Sequence, residues 1–269
     1  MIPRETVEPF YFGTPARQLF GCYHQPPRRP LRGVVVLCQP IGHEYINSHR
    51  ALSRLASRLC GEGFATLRFD YYGCGDSAGN VEDARIGEWL DNISMAVAEA
   101  KCRSRANQVC LVGLRLGATL SLMASERSKD IDKLVLWDPV VNGQDYLAGL
   151  IALRKEMLGF RPTSKQHLPK DYTDILGFPL SRFLYADLES VSLNRAPISG
   201  TMASNILFLQ TGQLDGQNGL VAHLRKAEIP CEHLCLNDPK VWLPTENGSL
   251  LVPVQTLNAI TTWLSGTHS

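Results

Sequence analysis

Short apolar runs alternate with longer amphipathic ones along most of this chain, the pattern of a mostly parallel sheet covered by helices. Residues 33–38 (GVVVLC) form an unbroken, largely β-branched run, as a strand buried on both faces requires. Residues 48–60 follow with Leu52, Leu55, Ala56 and Leu59 at helical spacing, closed by Gly61 and Gly63. The unit then repeats, with a strand at 64–69 ending at Asp70, a helix at 86–101, a strand at 108–112, a helix at 116–127 and a strand at 133–137. Upstream, residues 10–12 and 19–23 read as two short strands about a turn at Thr14-Pro15, an antiparallel start to the sheet. From Pro139 to Ala203 the alternation stops, and the segment reads as helices broken by prolines, at 146–158, 172–176 and 180–188. It returns with a strand at 205–209, a helix at 219–227, a strand at 231–236 and a last helix at 254–264. The expected organisation is a core of residues 1–138 and 204–269 interrupted by a helical cap insertion, 139–203. Such insertions often lie over the carboxyl ends of the strands, where open α/β sheets bind ligands; a packing appendage is the alternative.

Composition narrows the function classes. With 27 Lys plus Arg against 26 Asp plus Glu in 269 residues, the formal net charge of +1 leaves no electrostatic footprint for nucleic acid or anionic lipid. No apolar stretch approaches the roughly 18 residues of a membrane span, and the first 20 residues lack a signal-peptide pattern. The eight cysteines are scattered through apolar stretches with no Cys-x-x-Cys pair, as expected for buried thiols in a reducing cytoplasm. No metal-ligand spacing and no glycine-rich nucleotide fingerprint is present, so neither metal nor cofactor is expected; oligomeric state is left open.

Two antiparallel strands, a βα series and an insertion before the last two strands make the order of an α/β-hydrolase fold, with a mostly parallel eight-stranded sheet. In that fold a Gly-x-Ser-x-Gly turn between a buried strand and a helix carries the nucleophile. Here the strand QVCLV runs into Gly113-Leu114-Arg115-Leu116-Gly117-Ala118. The glycine frame is intact, but a permanently charged guanidinium at its centre excludes a serine-type acyl-enzyme there. The catalytic histidine of the fold belongs in the loop after the last strand, and that loop reads NDPKVWLPTENG. Asp215 matches the position of the triad acid and Asp138 a second place for it, but acids without a base make no triad.

The blocks Pro40-Ile41-Gly42-His43-Glu44-Tyr45 with Ser48-His49-Arg50, then residues 70–79 (DYYGCGDSAG), the elbow GLRLGA, residues 136–141 (LWDPVV) and residues 177–180 (GFPL) together resemble the exosortase A system-associated hydrolases, the second type in particular. The resemblance covers nearly the whole chain, and arginine at the elbow is part of it. It implies the α/β-hydrolase fold and a hydrolase label that rests on the wider superfamily, since fold alone establishes no reaction.

The candidate chemistry gathers at the elbow. His43 and Glu44 are expected in the loop after GVVVLC, which in this fold lends an N–H to an oxyanion hole, with the Leu116 amide as the second donor. Arg115 adds a planar fork suited to a carboxylate or phosphate. His43 is either a proton carrier or a hydrogen-bonded structural histidine, and Glu44 partners Arg115, His43 or Arg50. An anion must offset the guanidinium at a helix N-terminus, and that anion is Glu44, Asp138, Asp215 or a bound ligand. Tyr45 belongs to the ligand-contacting set. Cys74 is the one thiol expected in a loop near the strand ends, a substitute nucleophile or a simple core residue. Trp242 is an aromatic wall or a rim packing residue. Two functions follow: an enzyme acting on an acyl or carboxylate-bearing small molecule through Arg115, loop amides and His43 or Glu44, or a pseudoenzyme that binds such a ligand or a partner protein.

Overall fold

The computed structural model describes residues 5–27, 30–159, 171–195, 203–212, 216–245 and 251–266. Eight strands form one sheet: β1 (Thr6–Thr14), β2 (Arg17–Gln25), β3 (Gly33–Cys38), β4 (Phe64–Phe69), β5 (Val109–Leu114), β6 (Lys133–Trp137), β9 (Asn205–Thr211) and β10 (Cys231–Leu236). Their order across the sheet is β1-β2-β4-β3-β5-β6-β9-β10. The β1–β2 hairpin and its junction with β4 are antiparallel, and every pair from β4 to β10 is parallel. This is the α/β-hydrolase fold.

The central strands read as continuous apolar runs because both faces are covered; every residue of β3 and of β5 is buried. Helices α1 (Gly42–Gly61) and α7 (Val254–Ser265) close one face through Leu52, Leu55, Leu59, Leu257 and Ile260. Helices α2 (Ile86–Ser104), α3 (Leu116–Ser125) and α6 (Gln217–Lys226) close the other with Trp89, Ile93, Leu120 and Leu220. Among the described residues no helix is long and apolar enough to cross a membrane.

Three readings of the sequence need correction. Helix α1 starts at Gly42, whose φ of +60° turns the chain out of β3, so His43 and Glu44 lie in its first turn and not in a loop. Its first turn lacks the apolar periodicity of residues 48–60 because those side chains face cavities. Residues 172–176 were expected to be helical, but Tyr172–Ile175 is strand β7, paired antiparallel with β8 (Phe178–Ser181). A two-residue turn at Leu176-Gly177, with φ of 55° and 87°, makes this a hairpin, and Asp174 Oδ1 accepts the Gly177 N–H at 2.9 Å. Leucine at a positive φ hides the usual Asn-Gly signal. The third expected helix accordingly starts later, as α5 (Arg182–Glu189), capped by the Ser181 hydroxyl. Together with α4 (Gly143–Leu158), these elements follow β6; Tyr146 of α4 reaches Glu44 in the first turn of α1, and Phe178 of β8 packs against Gly42 beyond the carboxyl end of β3.

The β5–α3 turn depends on two glycines. A Cβ at Gly117 would overlap the Cys38 carbonyl of β3, and one at Gly113 would overlap the Ala118 backbone. Backbone cannot retreat from either contact, so Gly117→Ala is expected to cost about 3 kcal/mol, read as a lowered urea midpoint at unchanged m-value.

Candidate active site

Between β5 and α3 the chain reverses at Arg115, which has φ 54° and ψ −122°. Its N–H donates to Trp137 O at 2.9 Å, tying the turn to β6. This strained backbone thrusts the side chain above the sheet, where a guanidinium lies at the head of α3 and meets the helix dipole unfavourably. The counter-charge comes from α1. Arg115 Nε donates to Glu44 Oε1 at 3.0 Å and Nη1 to Asp138 O at 3.2 Å. Tyr146 of α4 donates its hydroxyl to Glu44 Oε2 at 3.0 Å, so both carboxylate oxygens are engaged. The guanidinium also lies 5.6 Å from the Tyr146 ring centroid and 5.1 Å from that of Trp242. Glu44 is 2% exposed and Arg115 14%, so this ion pair is largely desolvated. Burial works against the Arg115 charge, but Glu44 foremost, with Tyr146 and Asp138, holds its pKa above the ordinary arginine value.

Asp138 is buried at a positive φ of 46°, and its carboxylate is hydrogen-bonded to Thr211 and makes no ion pair with Arg115. It accepts the Thr211 N–H at 2.9 Å and the Thr211 hydroxyl at 2.5 Å, bridging the ends of β6 and β9. Burial raises its pKa, with Thr211 and Arg115 opposing.

Above Arg115 opens a cavity of about 290 Å³, lined by His43, Glu44, Tyr146, Lys240 and Trp242 on its polar side, with Leu150 and Leu153 among its apolar residues. His43 Nε2 is buried and has no hydrogen-bond partner among the described residues. Burial, with Arg115 adding to it and Glu44 opposing, lowers the His43 pKa, so the imidazole is neutral near pH 7. The Leu116 side chain is buried in the core, while its amide, the first of α3, donates no hydrogen bond among the described residues.

The remaining sequence candidates lie elsewhere. Tyr45 and Cys74 line a second, more apolar cavity of about 190 Å³, walled by Trp89, Phe178 and Leu184. There Tyr45 donates to Asp70 at 3.3 Å, and burial pushes the Cys74 thiol up to about 12, leaving it protonated. Asp215 falls outside the described residues. His233 is on β10, its Nε2 3.1 Å from Gln210 Oε1. Among the described residues no group of three or more His, Cys, Asp or Glu could hold a metal ion. Sequence reasoning missed Tyr146 and Lys240. Tyr146 was visible only as the first residue of an amphipathic run, and nothing in its spacing shows that it reaches α1.

Residues 29–186 match the family model described as serine aminopeptidase, S33, of the Hydrolase_4 group. The chain belongs to this family. Among solved structures, this S33-type chain is similar to Est1E from Butyrivibrio proteoclasticus with ferulic acid bound, over 96% of each chain at 19% identity and a TM-score of 0.67. It is also similar to the Pyrococcus furiosus esterase Pf2001, over 97% of this chain and 91% of that one, at 14% identity and a TM-score of 0.67. At such identities the likeness is one of fold. No curated protein sequence matches.

Removing Arg115 would leave the Glu44 carboxylate buried with Tyr146 as its remaining partner. Arg115→Ala is therefore expected to lose roughly 3–5 kcal/mol, a fall in Tm on the order of 10 °C, with partial recovery in the Arg115→Ala/Glu44→Gln double variant. An unchanged melting curve for the single variant would show that the pair is not structural.

Acid stability provides a second check. A histidine whose folded pKa is depressed resists the proton that the unfolded chain accepts below about pH 6.5. His43 therefore removes stability as pH falls from about 6.5 through its lowered folded value, as do His24, His49 and His233 in their own settings. His43→Gln should lose less stability than wild type between pH 7.5 and 5 in paired urea titrations; identical slopes would contradict a buried neutral imidazole.

Proposed function

We propose that this chain is an α/β-hydrolase-fold protein that holds a small acyl- or carboxylate-bearing molecule in the elbow cavity without forming a covalent acyl-enzyme. The observation that carries the reading is Arg115 at the apex of the turn, where serine hydrolases of this fold carry their nucleophile. It is committed to Glu44 through Nε and to Asp138 O through Nη1, while Nη2 has no hydrogen-bond partner among the described residues. A guanidinium in this state cannot attack a carbonyl, yet it still presents donors to an oxygen-rich group. The Leu116 amide at the α3 N-terminus, which donates no hydrogen bond among the described residues, would be a further donor. Tyr146, Trp242, Leu150 and Leu153 suit a compact apolar or aryl body. The cavity is at the lower end of the range for small-molecule sites, about 300 Å³. An aryl carboxylate of the kind bound by Est1E is a reasonable first probe. The resemblance to the exosortase-associated branch, in which the elbow arginine recurs, supports a use for this residue beyond the loss of a serine.

A second reading is favoured by His43, whose buried, unpartnered Nε2 belongs to a neutral imidazole beside the same cavity. Such a group can take a proton from water and turn a bound ester over non-covalently. Glu44 is the weaker proton carrier, since Arg115 and Tyr146 occupy both of its oxygens.

Gly149 of α4 separates binding from architecture. It lines the cavity, and a Cβ there meets nothing within 4 Å. Gly149→Leu is expected to keep or raise stability by up to about 1 kcal/mol through helix propensity, while filling the cavity. Wild type should show a thermal shift with ferulate, benzoate or octanoate that Gly149→Leu abolishes, and serine-directed phosphonates should leave no adduct by intact mass. Ester turnover lost in His43→Gln would decide for the second reading, and a stoichiometric phosphonate adduct near the elbow would overturn both.

A further inference from the structure

The loop after β10 contains no histidine, and the cation it brings to the elbow cavity is Lys240. Three contacts build that placement. The Leu243 N–H donates to Lys240 O at 3.0 Å, closing a tight turn. Asn47 of α1 donates Nδ2 to Trp242 O at 3.0 Å, pinning the turn to the helix that carries Glu44. The Lys240 stem passes over Gly212 just beyond β9, where a Cβ would lie 3.4 Å from its Cε and 3.9 Å from its Nζ.

Of the two cations lining the cavity, Arg115 is paired and Lys240 is not, among the described residues. Arg115 is matched by Glu44 at 3.0 Å, the Asp138 carboxylate is taken up by Thr211, and His43 is neutral near pH 7. Lys240 is half-buried and makes no ion pair among the described residues. Asp145, the other charged lining residue, is exposed in the first turn of α4 and is not within ion-pair distance of it. Val140, Val141, Leu150 and Leu153 supply the apolar part of the lining. A partly desolvated ammonium facing such a cavity has no counter-ion among the described residues.

We propose that Lys240 determines the specificity of this cavity, its ammonium receiving the carboxylate of a monoanionic ligand whose apolar body lies along α4. The proposal rests on the binding reading given above and names its ligand class: monocarboxylates in preference to neutral esters, amides and dicarboxylates. One cation without an ion pair among the described residues balances one anion, whereas a second carboxylate would face Glu44 or Asp145. Arg115, already neutralised, contributes orientation through its donors more than net attraction.

Isothermal titration of the intact protein tests this with ferulate, benzoate and octanoate, each beside its neutral amide. Wild type should bind at least one acid about tenfold or more tightly than the matching amide, a preference that weakens with added salt. Lys240→Met should bring acid and amide within about threefold, and Lys240→Arg should retain the preference. Because Lys240 is part-exposed, neither variant is expected to unfold, and unchanged melting curves would confirm that. A carboxylate preference that survives in Lys240→Met, or wild type binding acid and amide alike, would overturn the assignment while leaving the binding reading intact. Failure of every acid and amide to bind wild type would overturn both.

Discussion

A guanidinium at the first turn of a helix is repelled by the unpaired amides there and loses solvation when the chain folds over it. In this protein that liability is met by a carboxylate from α1, and the resulting contacts couple four separate elements. Glu44 leaves α1 to reach the β5–α3 turn; the Asp138 carbonyl at the end of β6 takes a second donor of Arg115; Tyr146 comes down from α4 to hold the far oxygen of Glu44. Each partner depends on the others, since removing one strands a buried charge or a buried oxygen. A buried pair of this sort adds little net stability over an apolar equivalent, but it discriminates strongly against any arrangement in which the partners fail to meet. The seating of α4 over the sheet is thereby tied to the turn below it.

The same contacts shape the chemistry. The elbow retains its positive φ and both close-approach glycines, so the strained geometry that normally exposes a nucleophile is present and exposes a cation. Family membership and the esterase-like architecture describe the scaffold, while the reacting groups are a property of the individual side chains. Here the neutral His43, the committed Glu44 and Lys240, which makes no ion pair among the described residues, line one cavity, and the thiol and tyrosine that sequence reasoning placed with them belong to a second cavity across the first turn of α1. Gly42 and Phe178 of the β7–β8 hairpin line the second of these, where a Cβ on Gly42 would lie 3.4 Å from the Phe178 ring.

Much of the architecture is legible along the chain. Runs such as GVVVLC and QVCLV identify strands covered on both faces, and the glycine frame around Arg115 marks the elbow, because buried parallel strands and close backbone approaches leave few residue types acceptable. The absence of histidine from the loop after the last strand is likewise a plain fact of sequence. Legibility fails where neither burial periodicity nor turn chemistry speaks. The first turn of α1 reads as a loop because its residues face cavities, and β7 reads as helix because its hairpin turn uses leucine where asparagine is usual.

The chain by itself determined which residue occupies the elbow, that it could be no nucleophile, and which carboxylates were available to answer it. Tertiary structure alone decided between Glu44 and Asp138. Glu44, Asp138 and Asp215 are equivalent as sequence-level partners for a cation. What separates Glu44 from Asp138 is that α1 starts at Gly42 and aims one carboxylate at Arg115, while the Asp138 carboxylate is hydrogen-bonded to Thr211. Long-range pairing of this kind spans 71 residues between Glu44 and Arg115 and 102 between Glu44 and Tyr146. Local preference carries no information across such distances, because the choice is made by packing and desolvation once the sheet has assembled.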